Sequence, residues 1–406
     1  MDMLSAFNKM SKEQISKVPK GFPTPTITMV GAEQELFIYR EVEGKSELIT
    51  DEEKNEMLAK LGDDFGPELG ASCIEVHPAP VDLTKVGFSG WLAQLRDLEK
   101  QLWVVVEKHG CKVGRYGTIP WADTQNIQRT KTPKYTKVPT FHNLNKTRKI
   151  EETINGVNVL DAAIVGILNA FQFSVQCNGL EDAVDKLNRL YMISPLSVAL
   201  SGNARFLGGV DTGWEDVRFE AWKRSHDTRS EQDIAEGKSL RVGLPNNYFN
   251  SIEDYMKEVS SYPFILEDEA HALQIGIGLF WRDARIKFIK DKAIVEFRPV
   301  STQKTVEEEI EIAAFTIGRL IYSQSLREEL IQMPHVSLNK KEAEIHGLRG
   351  SYIYNVGLAI KTSEIMLAEI ERAQAGLKIS GIPDSSSFSF LKYKDKIAKI
   401  KAETGR

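Results

Sequence analysis

Two glutamates in a strand-like run have the residue type and spacing of a cation site. Glu33 and Glu35 stand between positions 26 and 39, in a run that is otherwise mostly apolar. Side chains alternate between the two faces of a strand, so both carboxylates share a face with Ile27, Met29 and Phe37. Charged groups on an apolar face persist only when they are paired, protonated or bound to a cation, and hard divalent ions such as Mg²⁺ select carboxylate oxygens. The pair predicts a metal site, and a solvent-facing strand is the equal alternative.

Three further acids occupy similar positions. Glu75 lies in a short apolar run after Glu68, and Glu296 shares one face of the run 293–298 with Arg298. A carboxylate beside a guanidinium indicates a metal next to a bound anion. Any one of these acids alone is more commonly solvated or salt-bridged, and a structural network of acids and arginines is the alternative for the whole set.

A polar strand face could join the same site. The run 170–177 alternates cleanly, which places Gln172, Ser174 and Gln176 on one side and aromatic residues on the other.

The hydrophobic pattern predicts the elements that hold these residues. Strands are predicted near 26–39, 72–77, 170–177, 274–281 and 293–298, with a weaker candidate at 113–118. Helices are predicted over 84–109, 181–200, 305–332, 356–377 and 388–403, and the first of them should cover the sheet. The polar, poorly periodic segments 123–156 and 225–250 are predicted to be long loops, which often act as lids or substrate clamps.

Composition narrows the class of protein. The chain has 406 residues, 42% of them hydrophobic, which suits a soluble globular protein with a large core. Without a long apolar run or a leader-like start, its expected location is the cytoplasm. A net charge of -5 gives no basic field for nucleic acid or an anionic membrane, so the expected partner is a small molecule. Cys73, Cys111 and Cys177 are expected to be reduced, buried thiols.

The segment 199–222 resembles a family signature. It reads Ala-Leu-Ser-Gly-Asn-Ala-Arg-Phe, followed by Gly, Asp-Thr-Gly, Arg218 and Trp222, and is similar to the signature of the carboxylate-amine ligases of the glutamate-cysteine ligase type 2 family. Other stretches follow in the family's order, so that the resemblance covers about residues 26 to 350. These stretches are 31–35, 68–75, 116–121, 281–285, 295–298 and 339–348.

This resemblance implies a fold and a chemistry. The fold is α+β, a curved antiparallel sheet with an acidic inner face flanked by helices, like the glutamine synthetase catalytic domain. We expect one domain over 1–406, with 305–406 largely helical. Family members use ATP to phosphorylate a carboxylate, commonly the side chain of glutamate, and an amine then attacks the acyl phosphate.

The resemblance also assigns roles to residues. The implied metal ligands, for Mg²⁺ or Mn²⁺, are Glu33, Glu35, Glu68, Glu75 and Glu296. The implied catalytic residues, which would hold substrate carboxylates and phosphates, are Arg218, Arg285 and Arg298. Arg285, Arg298 and Gln172 would contact the nucleotide. Gln172 and Ser174 replace the His-x-His strand of many members, although the plant-type ligases resemble this chain in having Gln there.

The sequence therefore predicts an ATP-dependent ligase that joins a carboxylate to an amino acid, cysteine included, or to another small amine. Two alternatives remain: a phosphoryl or guanido transferase on the same fold, and a non-catalytic relative that binds glutamate or nucleotide. The amine, the identity of the acid and a homo-oligomeric state are left open.

Overall fold

The computed structural model describes residues 2–355 and 357–403. The helices are α1 (Met3–Lys17), α2 (Asp51–Leu58), α3 (Leu83–Lys108), α4 (Pro133–Leu144), α5 (Leu180–Ser201), α6 (Arg218–His226), α7 (Glu231–Ala235), α8 (Ile252–Ser260), α9 (Ala272–Gly278), α10 (Val306–Ser325), α11 (Met333–His346), α12 (Thr362–Ile379) and α13 (Leu391–Glu403). The strands are β1 (Met29–Val42), β2 (Lys45–Leu48), β3 (Phe65–Pro67), β4 (Cys73–Val76), β5 (Val81–Asp82), β6 (Lys112–Gly114), β7 (Thr153–Ile154), β8 (Val157–Asn158), β9 (Ala170–Gln176), β10 (Phe206–Leu207), β11 (Val210–Asp211), β12 (Val242–Gly243), β13 (Trp281–Arg282), β14 (Ala284–Ile289), β15 (Lys292–Ser301), β16 (Ser351–Ile353) and β17 (Ala359–Lys361).

One antiparallel sheet of nine strands organises the molecule. Its main path runs β14-β15-β9-β1-β4-β3, and β2, β5 and β6 also pair with β1. Directly opposed residues of antiparallel strands point to the same face. The register sets Glu35 opposite Glu75, Glu33 opposite Gln172, and Glu296 between Ser174 and Arg285. The polar residues of these strands therefore lie together on one face.

The other face of the sheet belongs to the main hydrophobic core. Phe171 and Phe173 of β9 are buried there, and the ring of Trp91 in α3 lies 6.3 and 6.4 Å from their ring centres. Helix α3 thus covers the sheet as its apolar stripe predicts. α5 and α10 pack on the same side, and their buried residues complete the core.

The predicted strand at 274–281 is wrong. Residues 272–278 form α9, and the outer strand of the sheet is β14 at 284–289. An apolar run of this length fits a buried strand and a buried helix equally well, so periodicity could not decide between them. The helix packs closely on α1, because a Cβ on Gly276 would lie 2.6 Å from the ring of Phe7.

The long loop predicted at 123–156 contains a helix. α4 begins with Pro133 in its first turn, and the hydroxyl of Thr132 accepts a hydrogen bond from the backbone N–H of Tyr135. Both are strong start signals, but the helix has almost no apolar periodicity, which hid it from the pattern. The loop at 225–250 likewise contains the short helix α7.

Two of the predicted helices have other bounds in the structure. The helix predicted over 305–332 ends at Ser325, and a new helix begins at Met333, where Pro334 occupies its first turn. The helix predicted over 356–377 begins at Thr362, and position 356 lies outside the described residues. Both differences are at boundaries, which periodicity defines poorly.

The three cysteines are free and buried, as expected. Within the part of the chain that the structure describes, no helix combines the length and apolar character needed to cross a bilayer.

The contact of Trp91 with β9 generates a stability prediction. Trp91→Ala should lower the free energy of unfolding by about 3–5 kcal/mol, because it leaves a cavity under the strand that carries Gln172. Urea unfolding followed by circular dichroism measures this change. Trp103→Ala is the matched control on the same helix, since Trp103 is 36% exposed and should cost much less. Equal losses for the two variants would contradict the role of α3 as the support of β9.

Candidate active site

A cavity of about 460 Å³ lies over the polar face of the sheet. Eight predicted site residues line it: Glu33, Glu35, Glu68, Glu75, Gln172, Arg218, Arg285 and Arg298. The ninth, Glu296, lines an adjoining cavity of about 370 Å³, which shares Glu33, Gln172 and Lys287 with the first. We call the larger space the main cavity and the smaller one the side cavity. The structure thus brings together residues from 33 to 298 of the sequence.

Three carboxylates form a compact cluster in the main cavity, which we call the acid triad. One oxygen from each of Glu35, Glu68 and Glu75 lies within 4.8 Å of the other two. Burial raises the pKa of Glu35 to about 8, and repulsion from Glu68 adds to the effect. Burial and the neighbouring acids also raise the pKa of Glu75 well above its usual value.

The acid triad fits a divalent cation. Its three carboxylates are the oxygen donors that hard cations such as Mg²⁺ and Mn²⁺ select. Burial is the main cause of the raised pKa of Glu35, and repulsion from Glu68, which no neighbouring cation fully balances, adds to it. A bound divalent cation would remove this repulsion.

Gln172 links the triad to an arginine. Its side-chain N–H donates to Glu35 over 2.7 Å, and its carbonyl oxygen accepts a hydrogen bond from Arg298. The other oxygen of Glu35 accepts from the backbone N–H of Ala170 at 2.6 Å. Glu35 is therefore fixed by β9 through both of its oxygens, and the role of Gln172 in nucleotide binding stays a prediction.

Glu296 lies in a cluster of cations. Its carboxylate accepts from Arg285 at 2.5 Å, from Lys287 at 2.7 Å and from Arg298 at 2.8 Å. Burial alone would raise the pKa of Glu296, but these three cations hold it well below its usual range. Lys287 also contacts Glu33 at 3.3 Å. Both acids lie outside the triad and are paired with cations, so their role as metal ligands stays a prediction.

Arg285 is held by the helix that the sequence did not predict. One of its guanidinium nitrogens donates to the carbonyl oxygens of Gly278 at 3.0 Å and Ile277 at 3.3 Å. These carbonyls end α9, where a helix has unpaired acceptors and a partial negative charge. The end of α9 therefore positions Arg285 beside Glu296.

Arg218 begins α6 and lines the main cavity. It is 2% exposed, and one of its guanidinium nitrogens donates to the carbonyl oxygen of Pro299 at 2.8 Å. Pro299 lies where β15 changes register against β9, and such a bulge leaves backbone groups free of the ladder. Arg218 is thereby held in the wall of the main cavity as a buried guanidinium.

Comparison with known proteins shows the family of this chain. The family model described as glutamate-cysteine ligase family 2 matches residues 29–355. The chain belongs to glutamate-cysteine ligase family 2. A putative glutamate–cysteine ligase 2 of Gloeobacter violaceus is 25% identical over 346 residues, which are 82% of this chain and 79% of that protein.

A solved glutamate–cysteine ligase shares the fold of this family 2 chain. The crystal structure of a glutamate–cysteine ligase from Francisella tularensis in complex with AMP has a TM-score of 0.57 and 13% identity, covering 94% of this chain and 84% of that one. Glutamine synthetase from Plasmodium falciparum has a TM-score of 0.35 and 10% identity, with coverages of 99% and 76%. The predicted family and the α+β fold built on an antiparallel sheet are confirmed.

The family 2 cavity has an aromatic wall that sequence reasoning missed. Tyr135 of α4, Trp222 and His226 of α6, and Trp281 of β13 line it. The ring centre of Trp281 lies 5.3 Å from that of His226 and 5.9 Å from that of Trp222. Trp222 and Trp281 could have been found, because they lie in the family-like stretches 199–222 and 281–285. Tyr135 could not, because α4 has no apolar periodicity. Lys287 was detectable, because it follows Arg285 at strand spacing and must share its face.

The acid triad generates a pH prediction. Native Glu35 keeps its proton to about pH 8, whereas the unfolded side chain releases it near 4.5, so the native state binds more protons between these values. Without divalent cations the free energy of unfolding should therefore fall as pH rises through this window. Urea unfolding at several pH values in a chelating buffer measures the slope.

Glu35→Gln should flatten that slope, because glutamine does not titrate. Glu47→Gln, which changes an exposed glutamate of β2, is the control and should keep the slope of the natural protein. A slope unchanged by Glu35→Gln would show that Glu35 is already ionised at low pH.

The Glu296 cluster predicts a different effect. Glu296→Gln should lower the free energy of unfolding by about 3–5 kcal/mol, because it leaves three cations beside a neutral amide in a buried place. Chemical unfolding at pH 7 tests this, again with Glu47→Gln as the control. A stability equal to that of the natural protein would mean that the cations are solvated and do not need Glu296.

Proposed function

We propose that this protein is an ATP-dependent carboxylate-amine ligase. The acid that we assign is the side-chain carboxylate of glutamate, and the acceptor is the amine of an amino acid such as cysteine or another small amine. The observation that carries the proposal is the acid triad facing Arg218, Arg285 and Arg298 in one cavity. Membership of family 2 and a relative crystallised with AMP support it.

The proposed reaction has two steps. A carboxylate oxygen of the acid attacks the γ-phosphorus of ATP, and ADP leaves. The amine then attacks the acyl carbon, phosphate leaves, and an amide forms. A divalent cation held by Glu35, Glu68 and Glu75 would supply charge neutralisation for the triphosphate.

The residues around the triad suit these steps. A guanidinium matches carboxylate and phosphoryl oxygens with two parallel hydrogen bonds, so the three arginines can orient the acid and stabilise the charge that moves in phosphoryl transfer. The side cavity is lined by Met29, Pro78 and Ile294 beside Gln172, and we assign its apolar surface to the base of the nucleotide. The aromatic wall of the main cavity is left for the acceptor.

The proposed substrates also indicate the partners and the location of the enzyme. Small amino acids are the proposed partners, with no role for nucleic acid or membrane, and the cytoplasm is the proposed location. Three free buried cysteines suit a reducing compartment.

The direct test measures ADP release with Mg²⁺ and ATP. A panel of acids is offered with and without amines, cysteine included, and the products are identified by mass. ADP release that needs both an acid and an amine, with an amide product, is the expected result. A stable phosphorylated product without an amine would instead indicate a phosphoryl or guanido transferase. Binding of glutamate or nucleotide without turnover would indicate a non-catalytic relative.

A variant tests the cation site separately. Glu68 is half-exposed, and its carboxylate accepts only from the backbone N–H of Leu69 among the hydrogen bonds of the described residues, so Glu68→Gln should leave the fold intact. We expect Mn²⁺ affinity, measured by electron paramagnetic resonance, to fall by about 10–100-fold or more. ADP release should fall with it. Glu47→Gln is again the control, and unchanged Mn²⁺ affinity in Glu68→Gln would remove Glu68 from the site.

A further inference from the structure

Arg241 is a buried arginine without a carboxylate partner. Six arginines are buried in the described residues 2–355 and 357–403, and five of them form an ion pair with an aspartate or glutamate within 4.0 Å. Arg241, which is 3% exposed, is the sixth and has no ion pair within that described part. A buried charge without a counter-charge is unfavourable by several kcal/mol in general, so its presence needs an explanation.

The neighbours of Arg241 do not balance its charge. One guanidinium nitrogen donates to the carbonyl oxygen of Pro263 at 3.2 Å, and another, Nη1, is buried without a partner. The guanidinium lies 5.2 Å from the ring centre of Tyr262 and 5.7 Å from that of Trp281. Burial lowers the pKa of Arg241 to about 10, so the group stays charged at pH 7.

Arg241 lines a cavity of about 220 Å³, which we call the Arg241 cavity. Its wall includes Phe141, His226, Arg229, Lys238, Arg241 and Tyr262. His226 also lines the main cavity, so the two spaces adjoin at this side chain. The volume is below the roughly 300–1,000 Å³ of pockets that hold a whole drug-sized ligand, and suits a small molecule or one end of a larger one.

The other cations of the Arg241 cavity have acid partners. Arg229 forms two hydrogen bonds with Asp227, at 2.8 and 2.9 Å, and Asp227 also pairs with Arg148. Lys238 pairs with Asp233, which itself lines the cavity, at 3.2 Å. Among the described residues of the wall, Arg241 is the cation without an acid partner, and one such guanidinium matches a single carboxylate. A phosphate dianion would need a second cation without an acid partner.

We propose that the Arg241 cavity binds a small carboxylate through the guanidinium of Arg241. The carboxylate accepts a hydrogen bond from the guanidinium of Arg241, which has one nitrogen without a partner, while Phe141 and Tyr262 of the same wall contact its apolar body. Two sources share this chemistry. One is the carboxylate of the amine acceptor, reaching past His226 from the main cavity, and this source rests on the proposed ligase function. The other is a separate carboxylate that binds beside the site.

The first experiment measures binding without ATP, so it does not depend on the ligase. Sodium acetate is titrated into the protein, tryptophan fluorescence is followed because Trp281 lies beside Arg241, and sodium chloride at equal concentration is the reference. We expect a saturable change with acetate only. In Arg241→Gln the acetate affinity should fall by about tenfold to a hundredfold, the loss typical of a hydrogen bond to a charged group. Arg40→Gln, a change at a surface arginine paired with Glu53, should bind acetate as the natural protein does.

The stability of the variant is a second readout. Arg241→Gln removes a buried charge that has no partner, so its thermal midpoint without acetate should equal or exceed that of the natural protein. Acetate should raise the midpoint of the natural protein and not that of the variant. An Arg241→Gln protein that unfolds, equal acetate binding in both proteins, equal responses to acetate and chloride, or no response to acetate at all would each overturn the proposal.

A turnover arm separates the two sources. If the carboxylate belongs to the acceptor, glycine should bind like acetate, glycine methyl ester should not, and Arg241→Gln should raise the KM of the acceptor with little change in kcat. If the carboxylate is separate, the KM of the acceptor should stay constant, and acetate should bind equally well with the acceptor present. Absence of any ligase activity would refute the proposed function and leave the acetate result standing.

Discussion

The uneven balance of charge on one face of a sheet is the constraint on which this structure depends. Around Glu296, three cations surround a single carboxylate, and the cluster is closed by ion pairs. Around Glu35, three carboxylates meet, and the nearest link to a cation is the amide of Gln172. Both clusters lie on the same sheet, the first on β14 and β15 and the second around β1 and β4, so the face has a cationic end and an acidic end. The acidic end is the part that a metal ion can complete.

The elements around the sheet hold the residues of the polar face in place. α3 and the core pack on the apolar side of β9, so that Gln172 and the backbone N–H of Ala170 stay bonded to Glu35. The end of α9 holds Arg285, and the register change in β15 leaves the carbonyl of Pro299 for Arg218. Each arginine is thus positioned by backbone carbonyls as well as by acids. Backbone acceptors do not titrate, so these arginines keep their places when the acids change protonation.

The sequence predicted the polar face of the sheet better than the helices that surround the cavity. Apolar strand-like runs identified β1 and β15, and clean alternation identified β9. The alternation of side chains along a strand then places Glu33 on one face with Glu35, and Glu296 on one face with Arg298. Arg218 was found only through the family resemblance, because its contacts join segments far apart in the chain. α9 and α4 were missed for opposite reasons: the run around Gly276 is apolar throughout, and α4 has no apolar stripe. Arg241 gave no signal, since only the folded chain shows that it lacks an acid.

The central position of β9 determines where the molecule can open. This strand is hydrogen-bonded on both edges, to β1 and to β15, and it is covered by α3 on its apolar side. Exposing its amides to solvent requires breaking two ladders and lifting a helix, which brings local unfolding of β9 close to global unfolding. α4 and α6, by contrast, approach the cavity from outside the sheet. The sheet around β9 is therefore the rigid side of the cavity. Any change of cavity shape when a molecule enters or leaves depends on α4 and α6.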